Sequence, residues 1–254
     1  MTRETEIRVP ALGLRPAKLR NAARRRWFEH RLSRLPVRAT RGLVELGTAH
    51  GGWTVPGELV RPSWVCYSVG AGGDVSFDLE LIRRYGVRVR FLDAVGGHVE
   101  DAIREAAGEP RFSAHQAAIT LADGPVRMQR SQDPRSRSVS SAGLDESDRH
   151  VELPGRSLAS LMSEHGDERI DLLKLDIAGG EYKLLPRLDL RRMGVKVLSL
   201  RFHHAGTLPA ARILIARLDV QGYDAVAVRP VVKLTFARRE LLDEAVGLGG
   251  RASW

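Results

Sequence analysis

The sequence predicts an α/β protein: a doubly wound, mostly parallel sheet with helices on both faces and a basic helical extension at its N-terminus. Three observations predict it. From Trp64 onward, short apolar runs alternate with stretches of helical periodicity. A glycine cluster, Val69-Gly70-Ala71-Gly72-Gly73-Asp74, sits between the first apolar run and the first helical stretch. Three later runs end on Asp93, Asp176 and His203-His204, at the strand ends where open parallel sheets receive ligands.

Charge divides the chain. Its 254 residues hold 40 Lys+Arg and 31 Asp+Glu, a net of +9, with a pI near 10.4. Residues 1–41 hold 12 Lys+Arg against 3 Asp+Glu, and the rest holds 28 of each sign. The whole excess therefore belongs to the extension, which argues against nucleic acid as the partner of the body. Within it, Arg15 to Arg41 predicts a helix that opens near Pro16 and ends before Pro36. Leu19, Ala23 and Trp27 fall on one side of that helix, and Phe28, Leu32 and Leu35 on the other. The residues favour a solvated helix docked on the body. Contact with RNA, an anionic membrane surface or an acidic partner is the other reading.

The lone Cys66 excludes an intrachain disulfide framework and multi-cysteine zinc sites, and its apolar flanks predict a small buried residue. No apolar run approaches the roughly 18–20 residues of a membrane span, and an apolar leader is missing at the start. The cytoplasm is the default location.

Trp64 to Val69 reads as a buried strand, Ser76 to Tyr85 as a helix closed by Gly86, and Val87 to Leu92 as a second strand. A helix follows at Val99–Ala107, a third strand lies within Phe112 to Leu121, and Asp123-Gly124 turns into one hairpin arm at Pro125–Met128. Gln129 to Arg149 is polar enough to predict a long loop, a candidate lid. Then come a short helix at Leu158–Met162, strands at Ile170–Leu175 and Val195–Phe202, a helix at Pro209–Leu218, and extended segments at Gly222–Val228 and Val231–Phe236. These set the predicted domain limits: extension 1–45, body 46–240, tail 241–254.

Gly70 and Gly72 permit positive φ and close approach of a ligand to the backbone at a helix start. The third glycine of a dinucleotide fingerprint is replaced by Val75. Asp74 would repel a pyrophosphate and suits a ligand bearing an ammonium and a sulfonium, which favours adenosylmethionine over a nicotinamide; its alternative is to cap the helix. Asp93 lies 23 residues beyond Gly70, where an acid can bind ribose hydroxyls. In Asp171-Leu-Leu-Lys-Leu-Asp176, the apolar strand delivers Asp176 to the ligand edge, and Glu181 falls in the next helix's first turn as a complement to its dipole. Lys174 within that strand is either paired with a carboxylate or turned out from an edge. His203 or His204 could act as general base. Asp176 with one histidine gives two ligands, too few to define a divalent metal site.

The run Cys66 to Ile82, Phe91-Leu-Asp93, Ile170 to Ile177 with Gly179 and Glu181, and Phe202-His-His204 resemble FkbM-type methyltransferases. Leu46 to Trp53 also looks like that family's lead-in, so the resemblance spans roughly Leu46 to Arg238. It implies a class I, Rossmann-like methyltransferase fold and adenosylmethionine-dependent O-methylation of a sugar or natural product. Gly70, Gly72 and Asp74 would then hold the methionine end, Asp93 the ribose, and Gln116 and Ala117 the adenine. Asp176 with His203 or His204 would face the acceptor hydroxyl. The sequence departs from the family pattern at Ala94-Val95, Ala178 and Arg201. Loss of acids at the last two positions leaves open a methyltransferase-fold protein that acts as a binding or partner subunit, and the basic segment leaves open an RNA-associated methyltransferase.

Overall fold

Helix α1 (Pro16–Ser33) leads into a two-stranded hairpin, β1 (Leu43–Leu46) and β2 (Trp53–Pro56). The computed structural model describes residues 16–70, 72–131, 139–140, 150–203 and 206–249. Strand β3 (Val65–Val69) is buried along its length, and α2 (Ser76–Tyr85) closes on Gly86 at φ 71°. Then follow β4 (Arg88–Asp93), α3 (Gly96–Ala106), β5 (Phe112–Gln116), β6 (Ala118–Thr120), β7 (Gly124–Arg130), β8 (Val139–Ser140) and β9 (His150–Ser157). The second half carries α4 (Leu158–His165), β10 (Leu172–Leu175), α5 (Glu181–Leu184), β11 (Val197–Arg201), α6 (Leu208–Val220), β12 (Tyr223–Arg229), β13 (Lys233–Arg238) and α7 (Arg239–Gly249).

Seven strands form the main sheet in the order β12-β13-β11-β10-β3-β4-β5. β5, β4, β3, β10 and β11 run parallel, and β13 runs antiparallel to both β11 and β12. This is a class I methyltransferase fold, as the sequence resemblance implies. The central strands β3, β10 and β11 are mostly apolar because helices cover both faces. Phe77, Leu81 and Ile82 of α2 pack under the hairpin with Trp53 and Val55, while Leu158, Leu161, Leu214 and Leu218 cover the other face.

Several boundaries differ from the sequence expectation. α3 begins at Gly96, not Val99, because the Val95 carbonyl already accepts from His98 and Val99 N–H. The predicted third strand splits at Ala117, whose N–H turns to the Asp93 carbonyl. The expected loop 129–149 begins as strand: β7 continues through Arg130, β8 occupies 139–140, and β9 starts at His150. Residues 132–138 and 141–149 lie outside the described residues. The predicted tail is largely helix α7, which buries Leu242. Cys66 is buried, and burial pushes its thiol up, as its flanks predict.

α1 ends near its predicted limit and buries Phe28 and Leu32 in the core beneath α6 and the turn at Pro230–Val232, leaving Trp27 exposed. Among the described residues no helix is long and apolar enough to cross a membrane.

Candidate active site

β3 has β4 on one side and β10 on the other, so the chain winds away from this point in both directions. The crevice at such a switch is where open parallel sheets bind ligands. A cleft of about 440 Å³ opens there. Strand ends supply its floor: Gly70 and Gly72 after β3, Asp93 ending β4, Asp176 after β10, and Arg201 with His203 at the end of β11. The small sheet β6-β9-β7-β8 lays Ile119, Val126, Met128 and Val139 over it as an apolar wall.

Close approach dictates Gly70. It sits at φ 76°, and a Cβ there would collide with the Asp176 carbonyl oxygen. Gly72, at φ 66°, faces open space. Asp93 ties this loop to the next one. Its Oδ2 accepts from Gly72 N–H at 3.2 Å, and its Oδ1 accepts from Val95 N–H at 2.9 Å and lies 3.1 Å from His98 Nδ1.

Asp74 is placed elsewhere. Its oxygens accept from Thr48 Oγ1 at 2.8 Å and from Ser76 N–H at 3.0 Å, so it fastens the loop at 47–52 to the start of α2. Burial opposes its ionisation, but the Ser76 and Thr48 bonds prevail and lower its pKa. It is not part of the cleft lining. Gln116 also stands outside the lining and donates through Nε2 to the Ala94 carbonyl at 3.1 Å, whereas Ala117 does line the cleft.

At the other end His203 is gripped from both sides. Nε2 lies 3.3 Å from Asp176 Oδ1, and Nδ1 lies 3.2 Å from Glu181 Oε1. Burial alone would lower the imidazole's pKa, but the two carboxylates raise it to about 9. His203 is therefore an imidazolium at neutral pH, with neither nitrogen free to take a proton, which removes the geometry expected of a histidine base. Asp176 moves the opposite way: burial raises its pKa, but His203 and Arg201 hold it below the ordinary value. His204 lies outside the described residues.

Glu181 exceeds its expected role as a dipole partner. Fully buried, it accepts from Gly179 N–H and from His203 N–H, each at 2.8 Å. It pins the loop after β10 to the loop after β11. Ala178, in the first of these loops, is held at φ 46°, and Ser140 Oγ of β8 donates to its carbonyl at 2.7 Å. No group of three or more potential metal ligands occurs among the described residues.

Because the fold favours the imidazolium, its contribution is complete below the unfolded value of 6.5 and lost as pH rises through about 9. The thermal midpoint should fall across that window, and more steeply than in His203→Gln. Burial lowers Lys233 to about 8, an effect of opposite sign. The difference between the two proteins therefore isolates the imidazole. Parallel curves would refute the assignment.

A sequence model described as the methyltransferase FkbM domain matches residues 94–225, just over half of the chain. The chain belongs to the FkbM methyltransferase domain family. The matched region contains Asp176, Glu181, Arg201 and His203; the glycine loop and Asp93 precede it. A search of curated proteins finds no significant match. Among solved structures, the chain is similar to the Methanococcus jannaschii fibrillarin pre-rRNA processing protein at 9% identity and TM-score 0.43, covering 71% of this chain and 68% of that one. It is similar to the human methyltransferase 10 domain containing protein at 10% identity and TM-score 0.41, covering 86% and 83% respectively.

Within this FkbM domain, His98, the clamping role of Glu181 and the whole apolar wall are not evident from the sequence. His98 had a signal, since it stands five residues after Asp93 at the start of a helix. The wall residues had none; the pairing of β6 and β7 with β9, and of β8 with β7, places them there.

Proposed function

We propose that this protein transfers the methyl group of adenosylmethionine to a hydroxyl of a small molecule, a sugar or natural product. The observation that carries this reading is the Asp176 carboxylate, which lines the same cleft as the glycine loop. It is held from behind by the His203 imidazolium.

The residues present fit the cofactor. Gly70 and Gly72 leave the backbone bare at the end of β3, Asp93 offers acceptor oxygens to ribose hydroxyls, and Ala117, Ile119 and Met128 give an apolar bed for a base. When bound, adenosylmethionine supplies an electrophilic methyl carbon on a positive sulfur. The glycine loop and Asp93 would hold it, and Asp176 would accept a hydrogen bond from the acceptor hydroxyl, aim the oxygen and take its proton. His203 and Glu181 act through Asp176 as positioning groups.

Isothermal titration of the full chain with adenosylhomocysteine should show one site, weakened in Asp93→Ala. Absence of binding to the folded protein would sink the reading. Binding without formation of adenosylhomocysteine from adenosylmethionine, across pools of hydroxylated metabolites, would instead assign a binding subunit of the same fold.

A further inference from the structure

Arg201 and His203 border two clefts at once. Besides the cofactor-sized one, they line a smaller cleft of about 60 Å³ whose other wall is Arg25, Phe28 and Glu29 of α1. The end of β11 therefore faces the segment that holds the chain's entire net charge. Arg24, Arg25, Arg26 and Arg31 are exposed along α1, and Arg34 just after it.

The carboxylates bordering these clefts are already matched. Asp176 faces His203 and Arg201, Glu181 accepts two backbone N–H groups and the His203 ring, Glu29 pairs with Arg25 at 2.8 Å, and Asp93 binds two backbone N–H groups. Arg201 itself is lightly engaged. Its Nη1 lies 3.4 Å from both Asp176 oxygens, the long limit of a hydrogen bond. Its Nε and Nη2 make no hydrogen bond or ion pair to a described residue. A partly exposed guanidinium with an open edge matches the two oxygens of a carboxylate, phosphate or sulfate.

We propose that the acceptor is an anionic small molecule. Its charged group sits on Arg201 between the two clefts, its hydroxyl reaches Asp176, and the arginines of α1 draw it in from solution. The inference rests on the methyltransferase reading and adds the substrate class to it.

The full-length protein is incubated with radiolabelled adenosylmethionine and a cell extract separated into neutral small molecules, anionic small molecules and RNA. Label should enter the anionic small-molecule fraction. Label in the neutral fraction or in RNA overturns the proposal. Label nowhere, despite adenosylhomocysteine binding, overturns the methyltransferase reading and the proposal with it.

With the labelled anionic fraction as substrate, Arg201→Gln should lose at least about tenfold in kcat/KM, with partial recovery in Arg201→Lys. Adenosylhomocysteine affinity should stay level in both. Replacing Arg24, Arg25 and Arg26 by Gln should raise KM at low salt, and the difference from wild type should vanish at high salt. Undiminished turnover in Arg201→Gln, or a salt-independent effect of the triple substitution, overturns the assignment.

Discussion

Asp176→Asn is expected to lower kcat for methyl transfer by about 10²–10⁴, the range for removal of a positioned proton acceptor, while leaving adenosylhomocysteine affinity nearly unchanged. Asn keeps the shape and an oxygen that faces the acceptor, so the loss reports the charge. The pH profile separates the two groups that could take the proton. Asp176 ionises below its ordinary value of 3.8, so a rate governed by it is level from about pH 5 to pH 8. It declines only as His203 loses its proton near 9. If His203 were the base, the rate would instead climb with pH toward that same value. A rising limb that ends near 9 in wild type would transfer the role from Asp176 to His203. In Asp176→Asn the imidazole loses one of its two carboxylates, so its titration should move down.

The parts of this site that could be read from the sequence are the backbone positions. Gly70, Asp93, Asp176 and His203 were found because a parallel sheet delivers strand ends to one edge, whatever surrounds them. What could not be read is the direction in which polar side chains turn. Asp74 sits within the glycine loop and accepts from Ser76 N–H at the start of α2, close to its alternative as a cap, but its other oxygen is captured by Thr48, 26 residues upstream. Gln116 follows β5 as expected, and then spends its amide on the Ala94 carbonyl. Local spacing holds no information about either partner.

Buried polarity was only partly legible. Lys174 reads as a residue paired with a carboxylate or turned out from an edge; it lies in a central strand, and the pairing is the alternative that holds. Its ammonium donates to Ser68 Oγ at 3.0 Å, with Asp78 Oδ2 at 3.8 Å. Its partner Asp78 is turned inward by α2, and burial raises its pKa. Of the small sheet the sequence shows the arm at Pro125–Met128, whereas its partner β9, His-Val-Glu-Leu-Pro-Gly-Arg-Ser, carries too many polar residues and breakers to read as a strand. Its pairing with β7 supplies the order that its own composition lacks.

The largest stability effect is expected at α1, where the sequence showed no single apolar stripe. Two residues one turn apart, Phe28 and Leu32, carry the attachment. Phe28→Ala should cost about 3–5 kcal/mol, the range for truncating a buried phenylalanine, measured by urea unfolding. The surface it packs against is itself strained: Val231 and Val232, both β-branched, are held at φ 62° and 55°, a conformation that costs on the order of 1–3 kcal/mol each. Packing of α1 opposes that cost, and the turn in turn holds the site, because Phe202 N–H donates to the Val232 carbonyl at 3.1 Å immediately before His203. Detaching α1 should therefore let the end of β11 relax. Phe28→Ala should raise KM for the acceptor more than it weakens adenosylhomocysteine, whose floor on Gly70 and Asp93 lies across the sheet. Equal losses at both ligands would show that the helix supports the fold as a whole rather than the acceptor side. Exposed Trp27, one residue away, is the control: Trp27→Ala leaves the core intact, so unfolding should change by less than about 0.5 kcal/mol.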